Sequence, residues 1–572
     1  MHTINKMNKM ILSDSQQEVF SYITTNLPIR KVILLEGSAG TGKTTLTKYI
    51  CNYYNQQKRI LVCAIAPTHK AKKVIENVLN KDTILPVSSL TVASALGKIK
   101  EHSYVGTKIY SNGNNRKLSN YNLFIIDEVS MTRDEDLRLI VNYVLKTNKQ
   151  LLIIGDSNQI PCPSAKYISC PNNIIKKADS YIFTDPDITK VKLVEIMRQS
   201  LDSPIINLAL FIRDHLLTDI PFDYIIQSTQ FTNIIKYTDI YDVFKTHFVK
   251  NGINSCRIIS YTNSAVKTHN LEVRNHLGYD TDYVVGELMT GYSNLGWPEL
   301  IIENGEDYFI QKIQPISNHR IHKYSNLVGN MIDLVIADTG AKVDRIFFIH
   351  INHPNNNEFI YKLIELAEKI NSQNSTRDDY RDYMQMKNCV IFTEDIYKYE
   401  NKIFTETSFK ETHAMLFVNI NEIIVDGKMK DTQLSNKINT AYPNIINQRI
   451  TDKYKQFGDS ELFADKYKVI EKDLYYGYAI TAHKSQGSTY NTAIVDEPDF
   501  QKIQNKWNYK FNKLESRTQE KNQLRYVAYT RAKTNLFIIY EMKNREANTI
   551  IDLVDDDDTD DFKSQFESMQ EL

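Results

Sequence analysis

The chain has 572 residues, 42% hydrophobic and 24% charged, with 69 Lys and Arg balanced by 69 Asp and Glu. That length allows three or four separately cored domains, and the composition excludes a disordered or fibrous protein. The zero net charge conceals a division: Glu541 to Leu572 holds eleven acidic and three basic residues, a net −8, so residues 1–540 carry +8. A mildly basic body with an acidic tail suits a polyanionic partner, although a charge run is as readily a solvated segment. Six scattered cysteines (Cys51, Cys63, Cys162, Cys170, Cys256, Cys389) form no C-x-x-C and read as reduced thiols of a cytosol-like compartment. The N-terminus lacks a signal-peptide pattern, and no apolar run approaches the roughly 20 residues that span a bilayer. The expectation is a cytoplasmic protein with no membrane association.

In chain order, Ser13 or Asp14 can cap a helix from about Ser15 to Asn26. Gln16 within it carries an amide that suits an adenine edge, yet alone it reads as helix surface. Val32 to Leu35 is an apolar strand entering Glu36-Gly37-Ser38-Ala39-Gly40-Thr41-Gly42-Lys43-Thr44-Thr45, followed by a helix from Thr45 to Tyr54. This is G-x-x-x-x-G-K-T in the strand–loop–helix setting of a P-loop. Its glycines let successive N–H groups wrap a polyphosphate. Lys43 would reach the β- and γ-phosphates of ATP, and the Thr44 hydroxyl would ligate Mg²⁺.

Ile60 to Ala66 forms a second strand running into Pro67-Thr68-His69-Lys70 and a helix to about Asn80, so the sheet is parallel. Residues at such strand ends sit where open α/β sheets bind ligands. Residues 98–120 break the pattern; Asn112-Gly113 is a turn signal, and a β-hairpin is expected with Tyr104 and Tyr110 near its tip. Leu123 to Ile126 is a buried strand ending in Asp127-Glu128, Asp127 placed for Mg²⁺ and Glu128 to polarise an attacking water. A further strand, Gln150 to Ile154, leads to Gly155-Asp156-Ser157-Asn158-Gln159, where Gln159 can orient water or sense the γ-phosphate.

This order of motifs resembles superfamily 1 DNA helicases, in the Dda-like and RecD-like branch of phage, mobile-element and bacterial enzymes. The later chain continues the resemblance. Leu193 to Gln199 resembles an arginine-finger element, which makes Arg198 a γ-phosphate ligand. Tyr261-Thr262-Asn263, with Val266, Asn270 and Arg274, resembles the opening of a second RecA-like domain. Ala479 to Ser488 resembles the element coupling ATP to DNA, and Tyr526 to Ala532 resembles the last helicase motif, whose arginine is Arg531 here. The resemblance covers roughly 12–305 and 475–540, and it promotes Gln16 to an adenine contact. It departs where Thr91-Val92-Ala93-Ser94 lacks the histidine of a Thr-x-His element, and it fades between Ile310 and Asp473.

The resemblance implies an α/β fold: two RecA-like parallel-sheet P-loop NTPase domains, an inserted β-hairpin and an inserted β-barrel with an accessory region. The expected division is 1–195 for the first RecA-like domain and 196–285 plus 475–545 for the second. Residues 286–474 form the insertion, with 354–470 its accessory part, and 546–572 the acidic tail. Lys43, Glu128, Gln159, Arg198 and Arg531 would be catalytic. Gln16, Gly37, Ser38, Ala39, Gly40, Thr41, Gly42, Lys43, Thr44 and Thr45 would hold ATP, and Thr44 with Asp127 would hold Mg²⁺. Pro67, Thr68, His69, Thr91, Thr262, Asn263, Thr481, His483 and Lys484 would contact DNA, single-stranded or forked. The implied activity is ATP-dependent translocation on single-stranded DNA, 5′→3′, with unwinding by the hairpin as wedge. A non-unwinding translocase, a nucleotide-gated binding protein and an RNA track are the competing readings. A monomer is expected, the tail serving as a solubilising end or docking a single-strand-binding or replisome protein. Asp333, Asp338 and Lys342 have the wrong spacing for a nuclease core, and the pairs His319/His322 and His350/His353 lack zinc-site company. A turn at Thr339-Gly340 between barrel strands explains the first group.

Overall fold

The computed structural model describes residues 12–38, 40–81, 86–102, 108–112, 116–162, 165–171, 173–195, 203–251, 256–296, 301–371, 375–399, 402–405, 424–425, 428–429, 467–508 and 511–540. Ala39, Arg198, Gln199, Tyr104, most of the accessory stretch before 467 and the acidic tail lie outside these residues.

Six parallel strands form the first sheet, in the order Thr189–Leu193, Val32–Gly37, Gln150–Gly155, Leu123–Ile126, Val62–Ala66, Ser88–Thr91. Each apolar strand is buried on both faces, and the period of two divides its residues between two cores. Ile33, Leu35, Ala64, Ile125 and Leu152 face the helices Asp14–Arg30, Lys43–Asn52 and His69–Asn80. Leu34, Ile65, Phe124, Ile126 and Ile153 face the helix Asp134–Lys146. The first helix begins as the sequence suggests, with a capping box: Ser13 caps it, and Gln16 closes back on the Ser13 backbone.

A second parallel sheet has the order Ile234–Ile235, Ala532–Ile539, Tyr490–Asp496, Cys256–Ser260, Ala479–Thr481. Residues 205–231 pack with the helix Thr518–Tyr529 on one face of it, and Val266 and Val273 with Phe244 on the other. Between these two halves of the second sheet, the chain builds a six-stranded mixed sheet dominated by the long strands Asp307–Ile321 and Tyr324–Ile336. Its edges meet, because the Asp473 and Leu474 amides both donate to the Phe392 carbonyl. Gly340, at φ +68°, turns the chain from Ile336 into Lys342–Ile349. Asp333 is paired there with Arg345 at 2.7 Å. His319 stacks on Phe347, His350 bonds Asn330, and His353 caps the turn at Pro354.

The hairpin pairs Lys98–His102 with Lys108–Asn112 in antiparallel register. Asn112 lies opposite Lys98 at the open end, and Tyr110 opposite Lys100 in mid-strand. Asn112 therefore lies at the end of the ladder away from the link between its two strands.

One small sheet joins distant parts of the chain. Ile174–Lys177 runs parallel to Lys513–Glu515 through Ile174↔Leu514 and Ile175↔Glu515. Lys177 Nζ lies 2.8 Å from Glu520 across this junction, and Arg517 flanks the same carboxylate at 3.0 Å. Burial raises the Glu520 carboxyl, but the charges of Arg517 and Lys177 and their hydrogen bonds win and hold it down to about 2. A carboxyl depressed below its ordinary 4.5 adds stability above that pH, which is lost as pH falls from 4.5 toward 2. Glu520→Gln should lower stability by about 3 kcal/mol near neutrality, as for a buried pair deprived of one partner. Denaturant melts at pH 7 and pH 3 check this: the difference should shrink at pH 3, and equal curves at pH 7 would refute it.

Candidate functional site

The site lies where the first sheet's strands end and the second sheet's elements reach it. Gly37 closes the P-loop strand because a Cβ there would stand 2.8 Å from Thr41 Oγ1 and 3.0 Å from the Leu193 carbonyl. Gly42 caps the helix Lys43–Asn52 at φ +80° with no side-chain cap, so its first-turn N–H groups remain for an anion. Lys43 Nζ is folded back on the loop, donating to the Gly37 and Ser38 carbonyls at 2.6 and 2.9 Å. Gly40 takes φ +84°, Thr41 donates to the Ser38 carbonyl, and Thr44 and Thr45 are half-buried in the helix's first turn. Gln16 is buried, donating Nε2 to the Thr41 carbonyl while its Oε1 accepts from the Ser13 amide.

Glu128 follows Asp127 in the left-handed region, at φ +51°, and its amide donates to the Asp127 carboxylate at 2.9 Å. A side chain in that conformation is strained, a recurrent feature of active sites. Burial first, then Asp127, pushes the Glu128 carboxyl up to about 7, against the pull of Arg531 and Lys43. Burial likewise raises Asp127, opposed by the Glu128 amide and Lys43. Thr44 and Asp127 offer hard oxygen donors that fit Mg²⁺ better than softer metals. Among the described residues no group of three or more His, Cys, Asp or Glu is gathered for a metal. A cation here would complete its shell from phosphate and water.

Three side chains arrive from the second sheet's side. Arg531 is buried, bonded to the Val527 and Ser488 carbonyls at 2.9 and 3.0 Å, and the Glu128 carboxylate acts on it most strongly of the surrounding groups. Tyr526 donates to Asp156 at 2.8 Å, and Asp156 in turn holds the Asn158 amide. Gln486 Nε2 donates to Gln159 Oε1 at 2.9 Å. The structure thus brings together Lys43, Asp127, Glu128, Gln159 and Arg531, whereas Arg198 lies outside the described residues. Sequence reasoning missed Arg213, whose Nη1 reaches Ser38 Oγ of the P-loop at 3.1 Å. A basic residue in a helix's last turn gives no sign of this, since the helix dipole alone explains it.

The four threonines expected at DNA are all helix N-caps at strand ends. Thr68, Thr91, Thr262 and Thr481 accept from the amides of Ala71, Ser94, Ala265 and Lys484. Thr68 is exposed, while Thr91 and Thr481 are buried. Thr262 differs, because its hydroxyl and amide are both committed to the Asp499 carboxylate at 2.7–3.2 Å. Pro67 is half-buried and Asn263 exposed. His69 faces Glu303 at 3.7 Å, and burial lowers its pKa. Lys70 and Lys73 beside it pair with Asp307 and Glu306. His483 is half-buried. Lys484 sits over the Tyr292 ring, 3.1 Å from its centre, and burial together with Lys472 pushes it down to about 7.

Residues 22–165 match the AAA domain family. Over 314 residues the chain is 27% identical to the ATP-dependent DNA helicase dda of Enterobacteria phage T4, a match spanning 52% of this chain and 66% of the phage protein. It is 27% identical over 198 residues to the ATP-dependent RecD2 DNA helicase of Deinococcus radiodurans, covering 35% of this chain and 23% of that one. The Pif1 helicase from Candida albicans aligns over 98% of this chain and 100% of its own, with a TM-score of 0.45 and 15% identity. No described helix is long and apolar enough to cross a membrane.

The raised Glu128 carboxyl has a measurable consequence for stability. A folded pKa near 7 against an ordinary 4.5 means that the fold holds this proton, so ionising Glu128 costs stability progressively between those values. Glu128→Gln should therefore melt at a higher temperature than the parent at pH 8, with the advantage fading toward pH 4.5. Identical melting at pH 8 would contradict the burial argument.

Proposed function

We propose that this chain, a relative of the Dda-like and RecD-like branch of superfamily 1, is an ATP-dependent DNA helicase that moves 5′→3′ on single-stranded DNA and unwinds duplex. The observation that carries this is the contact of second-sheet elements with the loops at first-sheet strand ends, Gln486 donating to Gln159 at 2.9 Å and Tyr526 to Asp156 at 2.8 Å, with the buried Arg531 in the field of Glu128. A P-loop protein that only stores nucleotide has no need of a general base and a cation from a second unit at one point.

In this reading Lys43 leaves the Gly37 and Ser38 carbonyls for the β- and γ-phosphates, a stronger partner because it carries the opposite charge. Thr44 and Asp127 would hold Mg²⁺, which would supply positive charge to offset that of the phosphates. Glu128 accepts the proton of the attacking water and Gln159 orients it. Arg531 and Arg198 stabilise charge spreading onto the γ-phosphoryl oxygens, and Arg213 touches the loop that would hold the phosphates. Gln16 keeps one donor and one acceptor beyond its two protein bonds, enough for an adenine edge. Pro67, Thr68, His69, Thr91, Asn263, Thr481, His483 and Lys484 would grip the DNA backbone, with little base preference. Thr262 would join them only by releasing Asp499.

The division into 1–195, 196–285 with 475–545, and 286–474 is retained as part of the proposal. The hairpin about 98–120 would be the wedge. The 546–572 tail would be a docking or solubilising end on a monomer in the cytoplasm.

Strand displacement on 5′- and 3′-tailed duplexes, with ATP and Mg²⁺, tests the reading. Unwinding of the 5′-tailed substrate is expected; DNA-stimulated ATP turnover without displacement would favour a translocase. Glu128→Gln should cut turnover at least about 100-fold while sparing nucleotide binding. Because kcat/KM reports the free enzyme, its pH profile should rise to a plateau with an apparent pKa near 7, where Glu128 becomes a carboxylate.

A further inference from the structure

We propose that the acidic segment 555–572 docks on this chain's own small junction sheet, with Phe562, Phe566 and Met569 laid on the sheet's open apolar face. That sheet has the strand order Lys506–Asn508, Lys513–Glu515, Ile174–Lys177, Tyr167–Cys170. The inference goes beyond the helicase reading and does not depend on it. It names an interaction surface, and its partner is a stretch of the same chain that lies outside the described residues.

The register defines the two faces. Cys170 pairs with Ile174, Ile174 with Leu514, and Leu514 with Trp507, while Ile168 pairs with Lys176. Paired residues stand on the same side of a sheet and alternate residues share a side, so Ile168, Cys170, Ile174, Leu514 and Trp507 form one face. The reverse face is closed: Ile175 and Glu515 are each 2% exposed. The first face is open, with Ile168 44% and Leu514 36% exposed, and Cys170, Ile174 and Trp507 half-buried. Phe511, in the connection between the first two strands, is 43% exposed. None of these six side chains joins any of the apolar clusters among the described residues. An antiparallel sheet with one closed face ordinarily turns polar side chains outward. Apolar side chains continuous across four strands mark a contact surface instead.

Charge selects the occupant. The segments that build the sheet, 165–177 and 502–515, hold seven lysines and one acid, the buried Glu515. Lys177 and Lys502 answer Glu520 and Asp499. Lys176 and Lys513 are held by neutral oxygens, Gln519 Oε1 and Ser169 Oγ, which add no net Coulomb attraction. The tail supplies the opposite charge and the apolar groups together. Residues 555–561 carry six aspartates, and Phe562, Phe566, Met569 and Leu572 follow at spacings of four, three and three, the period of one helical side. A nucleic acid shares the charge but brings no aliphatic stripe to Ile168, Ile174 and Leu514. Reach is ample. Ile539 pairs with Asp496, so Tyr540 leaves the second sheet beside it. Lys506 lies ten residues past Asp496, at most about 36 Å away. The 21 residues from Glu541 to Asp561 extend to about 70 Å. A tether of this kind presents its end at a roughly millimolar effective concentration, ahead of a free acidic peptide.

The experiment replaces Phe511 of the full-length chain by the photoprobe p-benzoylphenylalanine, irradiates, and maps the crosslinks by mass spectrometry. Should that chain fail to fold, Ile168 carries the probe. The expected product is a single-chain species joined to peptides within 555–572. It should be lost in Phe562→Asp/Phe566→Asp and weakened near 1 M NaCl, where screening acts within about 3 Å. Trp507, one of two tryptophans, gives a second readout. In a Trp297→Phe chain, adding Phe562→Asp/Phe566→Asp should shift its emission to the red and open it to acrylamide, equally at every protein concentration. Absence of tail crosslinks overturns the proposal, as does a crosslink or an emission that ignores the phenylalanine changes. Crosslinks between two copies would make the face an interface between chains, and capture of an added oligonucleotide in place of the tail would make it a nucleic-acid surface; either result overturns tail docking. Strand displacement is measured separately, so a failure here leaves the helicase reading standing.

Discussion

Asp127 and Glu128 are forced side by side at the end of a strand that is buried on both faces, and the charge balance of the whole cleft follows from that. Leu123 to Ile126, behind the two carboxylates, are wholly buried. Glu128 moreover adopts a backbone conformation that a side chain ordinarily avoids. Burial and mutual repulsion both favour the protonated forms, and the cations opposing this on Glu128 are Arg531 and Lys43. One belongs to each parallel sheet. The ionisation of the base is thereby tied to how the second sheet's elements meet the first, before any ligand enters.

Neither cation forms a direct ion pair with the base. Lys43 is tied to two loop carbonyls, and Arg531 to the carbonyls of Val527 and Ser488 and the hydroxyl of Thr530. Neutral acceptors hold a cation without the net Coulomb attraction that an anion adds. They therefore keep each group aimed while leaving it able to exchange for an anion. A direct salt bridge to Glu128 would have stabilised the empty site more and left the base less able to accept a proton.

How much of this was legible in the sequence divides along chain separation. The P-loop, the Asp127-Glu128 strand end and the Gln159 loop were readable because strand, turn and helix signals lie within a dozen residues of each chemical group. The threonine positions were readable from resemblance, but their shared geometry as helix caps was not. What escaped depends on contacts made hundreds of residues apart. Nothing local marks Asp499 as the carboxylate that takes the Thr262 hydroxyl, nor Glu303, Glu306 and Asp307 as partners for His69, Lys73 and Lys70. The hairpin turn was misplaced for a different reason. Asn112-Gly113 is a strong local turn signal, but the register Lys98↔Asn112 puts Asn112 at the end of the ladder away from the link between its strands.

The same long-range contacts decide how the parts of the chain can move against one another. The junction of Ile174–Lys177 with Lys513–Glu515 has only two paired positions, supported by Tyr167 on Glu515 and Lys176 on Gln519. Backbone pairing fixes direction as well as distance, so this junction resists sliding. The contact of the helix His69–Asn80 with the mixed sheet is of another kind. Lys73 shares two carboxylates, Glu303 and Glu306, while Lys70 and the fully buried Arg257 share Asp307. Ion pairs of this sort can exchange one anion for another without disturbing the backbone that carries them. The two sheets are thus joined by directional backbone pairing at one place and by exchangeable charges at another. Gln486, Tyr526 and Arg531 reach the first sheet's loops from the second sheet's side of these contacts.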